Sequence, residues 1–144
     1  MPGADGAKDR PAAAHVYQCR VRWSDVDSYG HVNNVKYFEY FQEARIDFLR
    51  SRLGDPGASE GVVVARIDVD YLRPILFRTR PFQICTWVSR VGTSSYDLNA
   101  EIRDGDDVLS RAQAVIVAFD MRTQRSRRLT GPERGVLHDL LVKA

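Results

Sequence analysis

The sequence predicts an α+β fold, an antiparallel sheet curved around one long helix, with a short helix at the C-terminal end. Three observations carry this. Before the final turns only one long stretch, Val35 to Arg52, has helical periodicity. Four runs of period two follow it, joined by turns shorter than the dozen or more residues a parallel crossover needs. Thr130-Gly131-Pro132-Glu133 then has the form of a capping box, opening a helix to about Val142.

The elements follow in order. Residues 1–14 are rich in Ala, Gly and Pro, carry charges of both signs and contain no apolar core of a signal peptide. They are expected to be a disordered lead-in, with residues 15–144 forming a single domain. From His15 to Trp23, Tyr17, Cys19, Val21 and Trp23 alternate with Gln18, Arg20 and Arg22, the pattern of a half-buried strand. Ser24 to Asn34 is polar, and either Asn33 or Asn34 is placed to cap the helix that follows.

In that helix Tyr37, Phe41, Ala44 and Phe48 form a stripe, which Phe38, Tyr40 and Leu49 widen to nearly the whole circumference. Such a helix is buried on most sides. Gly54-Asp55-Pro56-Gly57 stops it. Val63, Ala65, Ile67, Val69 and Tyr71 then alternate with polar residues up to Arg73-Pro74. Phe82 to Val91 is a second strand, and Tyr96, Leu98, Ala100 and Ile102 mark a third. Asp104-Gly105 is a hairpin turn, and Val108 to Phe119 returns as the last long strand. The one apolar face of this sheet needs a cover, and the aromatic helix supplies it.

Composition narrows the function. A chain of 144 residues with 44% hydrophobic and 28% charged residues is an ordinary globular domain, which excludes disorder and fibrous repeats. A net charge of +2 gives no general case for nucleic-acid binding. Of the 21 basic residues eighteen are arginine, whose planar fork suits phosphate. No apolar run approaches the roughly 20 residues of a membrane span. Cys19 and Cys85 stand apart and outside any Cys-x-x-Cys pattern, so they are expected as core thiols in a reducing, cytoplasmic compartment. No metal or organic cofactor is expected.

The chemistry concentrates between the first strand and the helix. Asp25-x-Asp27, Gly30-His31 and Asn33-Asn34 crowd into ten residues. Paired carboxylates shift one another's basicity. The start of a helix offers amide N–H groups and about half a positive charge, which suits a developing oxyanion. The same residue types also form ordinary turns and caps.

The string Arg22-Trp23-Ser24-Asp25-Val26-Asp27-Ser28-Tyr29-Gly30-His31-Val32-Asn33-Asn34-Val35-Lys36-Tyr37, with Glu43-Ala44-Arg45 after it, resembles the hotdog-fold acyl-CoA thioesterases. The nearest branch in pattern is that of 4-hydroxybenzoyl-CoA thioesterase. Gly30 to Tyr37 is also similar to plant acyl-carrier-protein thioesterases. The resemblance implies a homodimer or homotetramer, with subunits paired edge to edge and active sites at their interface. It places the catalytic carboxylate, base or nucleophile, on Asp27, and the amide that polarises the thioester carbonyl on Asn34. Asp27 and His31 match the aspartate and histidine of the plant enzymes' Asp-x-Asn-x-His, with Tyr29 where their asparagine stands, so the resemblance implies an auxiliary catalytic role for His31.

A thioester has a fair leaving group, so a base and an oxyanion donor suffice. An aspartate in water is a weak base, so burial of Asp27 is expected to strengthen it. Asp25 is expected to be structural, turned toward backbone amides or an arginine. Glu39 and Glu43 on the helix are the competing carboxylates. For coenzyme A the candidates are Arg90 and Ser95 in one hairpin, and Arg125 and Arg128 within the cluster Arg122, Arg125, Arg127, Arg128. Tyr29, Tyr37, Tyr40, Phe41 and Trp87 are candidates to line an aryl pocket or an aliphatic tunnel.

The expected activity is hydrolysis of acyl-CoA to a carboxylate and free CoA. The alternative is a non-catalytic acyl-CoA or aromatic-ligand binding module on the same fold. Neither nucleic acid nor membrane is expected as a partner.

Overall fold

The computed structural model describes residues 14–54 and 60–142. Strand β1 (His15–Cys19) leads through a 3-10 turn (Trp23–Asp25) and a polar loop into helix α1 (Lys36–Leu53). Strands β2 (Gly61–Tyr71), β3 (Phe82–Val91), β4 (Ser95–Asp104) and β5 (Asp107–Asp120) follow, then the short β6 (Arg125–Ser126) and helix α2 (Gly131–Leu140). The pairings are antiparallel, in the spatial order β1-β3-β4-β5-β2, with β6 on β5. This is the expected hotdog arrangement of sheet and helix. The lead-in expected over residues 1–14 lies, apart from Ala14, outside the described residues, as do Asp55, Pro56 and Gly57.

Helix α1 buries Tyr37, Tyr40, Phe41, Ala44 and Phe48. The sheet meets this bulk with small residues, since Ala100 of β4 and Ala112, Ala114 and Ala118 of β5 are all buried. Large against small lets the two layers approach closely, and burying a side chain such as Phe48 stabilises the fold by about 1.5–3 kcal/mol. Gly54 ends the helix at φ 75° with its N–H on the Arg50 carbonyl, a conformation that favours glycine. Phe38, expected in the apolar surface, is 40% exposed.

Three local expectations change. β1 ends at Cys19, and the 3-10 turn swings Trp23 out to 72% exposure instead of onto the strand's inner face. In β2 a bulge between Val64 and Arg66 inserts Ala65, so the alternation changes phase. Val62 and Val64 stand opposite the buried Ala118 and Ile116, and Ile67 and Val69 opposite Ala114 and Ala112. Val63 and Ala65 therefore do not share the inner face. The strand β6 also had no periodic signal in two residues.

Other features match. Asp104 and Asp107 close a two-residue hairpin with Gly105 at φ 60°. In the capping box Glu133 N–H donates to Thr130 Oγ1 at 3.2 Å, and Thr130 N–H donates to the Glu133 carboxylate at 2.8 Å. Cys19 and Cys85 are buried and unbridged. Among the described residues no helix is long and apolar enough to cross a membrane.

Candidate active site

The loop before α1 is anchored by Asp25, which is 1% exposed. Its carboxylate accepts from the Tyr40 hydroxyl at 2.6 Å, the Arg22 amide at 3.1 Å and the Arg22 guanidinium at 3.1 Å. Burial alone would raise its pKa. The hydrogen bonds from Tyr40 and from Arg22 outweigh that, and hold the carboxyl below the usual aspartate value. The same carboxylate, after burial, pushes the Tyr40 hydroxyl upward. The Asp25 carbonyl also accepts from Asn33 N–H at 2.8 Å, which fixes the far side of the loop. Asp25 is thus the structural member of the pair, as expected.

Asp27 starts a three-residue turn. Its N–H donates to the His31 carbonyl at 2.8 Å and its carbonyl accepts from Gly30 at 3.1 Å, with Gly30 in the left-handed region at φ 77°. Asp27 Oδ1 accepts from the amides of Tyr29 at 2.8 Å and His31 at 3.1 Å. Oδ2 accepts no hydrogen bond among the described residues. The side chain is held, yet it is exposed in the single chain. The burial expected of it is not supplied by this chain alone.

The two asparagines divide their work. Asn33 Oδ1 accepts from Val35 N–H at 3.1 Å in a turn just ahead of the helix, whose cap position is Val35 with no side-chain cap, so neither asparagine supplies the expected cap of α1. Asn34 is exposed, and its backbone carbonyl accepts from the Tyr71 hydroxyl at 2.9 Å. The helix start does not present the row of free amides expected of it. The amides of Lys36, Tyr37 and Phe38 donate to the carbonyls of Asn33, Asn34 and Val35.

Asp27, His31, Asn34 and Tyr37 line one groove of about 370 Å³. Its other wall is Tyr71, Leu72, Arg73 and Pro74, from the end of β2 and the turn after it. The Tyr37 and Tyr71 rings meet edge to face at 4.8 Å. The Tyr37 hydroxyl accepts from Ile75 N–H at 3.3 Å, which leaves its ring as a wall of the groove. Sequence reading missed Tyr71 and Arg73 as site residues. The Arg73-Pro74 strand stop was the available signal, but only the fold brings it to Asn34.

The remaining candidates lie elsewhere. Tyr29 is 83% exposed outside the groove, with its ring 6.3 Å from that of His31. Arg90 donates to Ser95 Oγ and to Asp97, each at 2.9 Å. Ser95 stands opposite Val117, whereas Tyr71 stands opposite Ser110 and Ser110 opposite Ile102. Seven residues of β4 therefore put Arg90 and Ser95 roughly 20 Å from the groove within one chain. Arg125 and Arg128 are exposed beyond β5.

Arg127 of the same cluster is structural. It pairs with Glu133 at 2.7 Å and donates to the Gly61 carbonyl at 2.9 Å. Glu39 and Glu43 line a separate concavity of about 490 Å³ with Tyr17, Arg20 and Tyr40. Glu39 there pairs with Lys36 at 3.2 Å.

A family model, the thioesterase-like superfamily, matches residues 21–137. The chain belongs to that superfamily. Relatives of this thioesterase-like chain agree along most of their length. The uncharacterised protein YsmA of Bacillus subtilis is 36% identical over 120 residues, covering 81% of this chain and 80% of YsmA. The long-chain acyl-CoA thioesterase FadM of Escherichia coli is 29% identical, covering 86% of this chain and 97% of FadM. Among solved structures, a Thermus thermophilus thioesterase in complex with coenzyme A and zinc superposes with a TM-score of 0.76 at 26% identity. That match covers 92% of this chain and 97% of the other. Thioester hydrolysis is the class of chemistry this membership supports.

Proposed function

We propose that the protein hydrolyses acyl-CoA thioesters to a carboxylate and free CoA, in a homo-oligomer whose groove a second copy completes. The observation that carries this is the convergence of Asp27, His31, Asn34 and Tyr37 on one groove at the start of α1 in a thioesterase-like chain. The named activity of FadM supports CoA as the thiol carrier.

Asn34 polarises the thioester carbonyl. Asp27 Oδ2, left without a partner by the turn, either takes a proton from the attacking water or attacks the carbonyl carbon itself. In the first route the water oxygen bonds to carbon, the C–S bond breaks and the thiolate leaves with the proton. In the second, the Asp27 oxygen bonds to carbon as the C–S bond breaks and the thiolate leaves. Water then cleaves the mixed anhydride, releasing the product carboxylate, restoring the Asp27 carboxylate and supplying the proton taken up by the thiolate. His31 N–H holds Asp27 Oδ1, so His31 contributes through its backbone as well as by lining the groove.

The second copy is argued from the β2 edge. β2 is an outer strand of 11 residues, with Val64, Tyr71 and the adjoining Leu72 between 44% and 47% exposed. An edge this long is a template for pairing with another chain. Tyr71 and Leu72 also line the groove, so a partner on β2 would roof it and shield Asp27. It would also be the route by which Arg90, Ser95, Arg125 or Arg128 reaches the substrate.

Free-thiol release from acyl-CoAs, short, long and benzoyl-type, tests the reading with Asp27→Asn run alongside. Asparagine retains the oxygen that makes the turn but cannot act as a base. Turnover should fall at least about a hundredfold with substrate still bound. Turnover that survives moves the chemistry to Glu39 or Glu43. Binding without turnover in the native protein assigns the non-catalytic module.

A further inference from the structure

The hydrolysis uses one wall of the groove, Asp27, His31 and Asn34, and leaves the other wall without a chemical role. That wall contains Arg73, and no other residue lining the groove carries a permanent positive charge. The Leu72 and Arg73 amides both donate to the Leu109 carbonyl at 3.0 Å. Beyond Pro74, the Ile75 amide donates to the Tyr37 hydroxyl, and the Ile75 carbonyl accepts from Val32 N–H at 2.8 Å. The backbone carrying Arg73 is thus fastened to the sheet on one side, and to α1 and the Asp27 loop on the other.

The side chain is held far less firmly. Arg73 Nη1 lies 3.1 Å from Asp107 Oδ1, with 54% and 47% of the two side chains exposed. Among the described residues this is the one polar contact its guanidinium makes. A pair this exposed contributes little to stability. A guanidinium has five donors, so most of the fork stays available.

Space sets a second constraint. Between α1 and the sheet, at Phe41, Arg45 and the alanines, about 10 Å³ is open, room for no more than about one water molecule. The groove, at about 370 Å³, is far larger. An acyl group whose carbonyl is held at Asn34 therefore lies along the groove instead of threading beneath the helix. Arg73 follows Tyr71, whose hydroxyl holds the Asn34 carbonyl, by two residues, at most about 7 Å of chain.

We propose that the preferred acyl group is short and ends in a carboxylate, the half-thioester of a dicarboxylic acid, and that Arg73 is the residue that selects it. A guanidinium fork takes both oxygens of a carboxylate at once. It gives up only the surface pair with Asp107 to do so. Arg73 also offsets the repulsion that the Asp27 carboxylate exerts on a second anion in the same groove. An uncharged acyl group leaves the fork idle. The inference rests on the acyl-CoA reading and names the acyl class that site takes.

The test compares glutaryl-CoA with pentanoyl-CoA, acyl chains of equal length with and without the terminal carboxylate. The native protein should favour glutaryl-CoA at least about tenfold in kcat/KM, the effect of roughly one charge-assisted hydrogen bond. Arg73→Gln should cut that preference about tenfold. Arg73→Lys keeps the charge and loses the fork, and should restore part of it. Asp107→Asn should keep the preference, since it frees Arg73 without removing it. A role confined to the surface pair would instead make Asp107→Asn behave like Arg73→Gln.

A native preference for pentanoyl-CoA, or for a long-chain thioester, overturns the assignment. So does an Arg73→Gln variant that loses equally on both substrates, which places Arg73 on the phosphates of CoA. A native protein that hydrolyses no thioester is carried to calorimetry with the same two compounds. Tighter binding of glutaryl-CoA that depends on Arg73 then keeps the acyl class and removes the hydrolase reading, and equal binding removes both.

Discussion

Replacing Asp25 by asparagine isolates the anchor of the candidate site from its chemistry. The side chain has 0% of its surface exposed and accepts from the Tyr40 hydroxyl, the Arg22 amide and the Arg22 guanidinium. Asparagine keeps one acceptor oxygen but turns an N–H₂ group toward a donor and removes the charge. Removing one buried charge-assisted hydrogen bond and leaving a donor to face a donor cost about 2–3 kcal/mol. In a domain of this size that lowers Tm by roughly 6–10 °C.

The sign with pH follows from the direction of the shift. The folded-state pKa of Asp25 lies below its unfolded value, so its contribution is full above about pH 3.9 and is lost as pH falls below that. Urea unfolding of both proteins at pH 7, 5 and 3.5 should therefore show a constant gap at the two higher values and a narrower gap at the lowest. Turnover should also fall, because the Asp25 carbonyl holds Asn33 and a displaced loop misplaces Asp27. Melting within 1 °C of the native protein, or a gap that widens in acid, would refute the account of Asp25 as a buried, ionised anchor.

Tyr71→Phe removes the hydroxyl that holds the Asn34 carbonyl at 2.9 Å; steady-state kinetics should show kcat reduced by about three- to tenfold with KM nearly unchanged, and stability lowered by about 1 kcal/mol. Gly30→Ala meets no steric neighbour but must adopt φ 77°, so denaturant titration should show a loss of roughly 1–2 kcal/mol. Burial pushes the Cys19 thiol up to about 12, and Cys85 is fully buried. Ellman's reagent at pH 8 should label neither within minutes in the folded protein, and should label both at once in denaturant.

How much was legible follows from which forces act locally. Helix α1 and strands β3 to β5 show in the sequence because their buried faces impose a period on the residues. The phase change in β2 does not show, since Ala65 fits either face and only pairing with β5 reveals it as the extra residue. Trp23 misled for a related reason, because a 3-10 turn carried it out of a continuing alternation. Asp25 could be assigned from its arginine neighbour, but that Val35, and neither Asn33 nor Asn34, stands at the helix cap required coordinates. Tyr71 and Arg73 reach the groove through a strand connection 37 residues from Asn34 in Tyr71's case, a proximity that no local pattern encodes.

The alanines beneath α1 have a consequence for how the protein changes over time. Because Ala100, Ala112 and Ala114 have almost no side chain to give up, the depth of the space they share with Phe41 and Arg45 is adjusted chiefly from the helix side. Tyr37, Phe41, Arg45, Leu49 and Leu53 follow one another at successive turns along that side. A single replacement at Phe41, Arg45 or Leu49 alters the room under the helix while leaving Asp27 and Asn34 in place. Selection, natural or in the laboratory, therefore has a short row of positions at which to retune what the fold accommodates without rebuilding the chemistry.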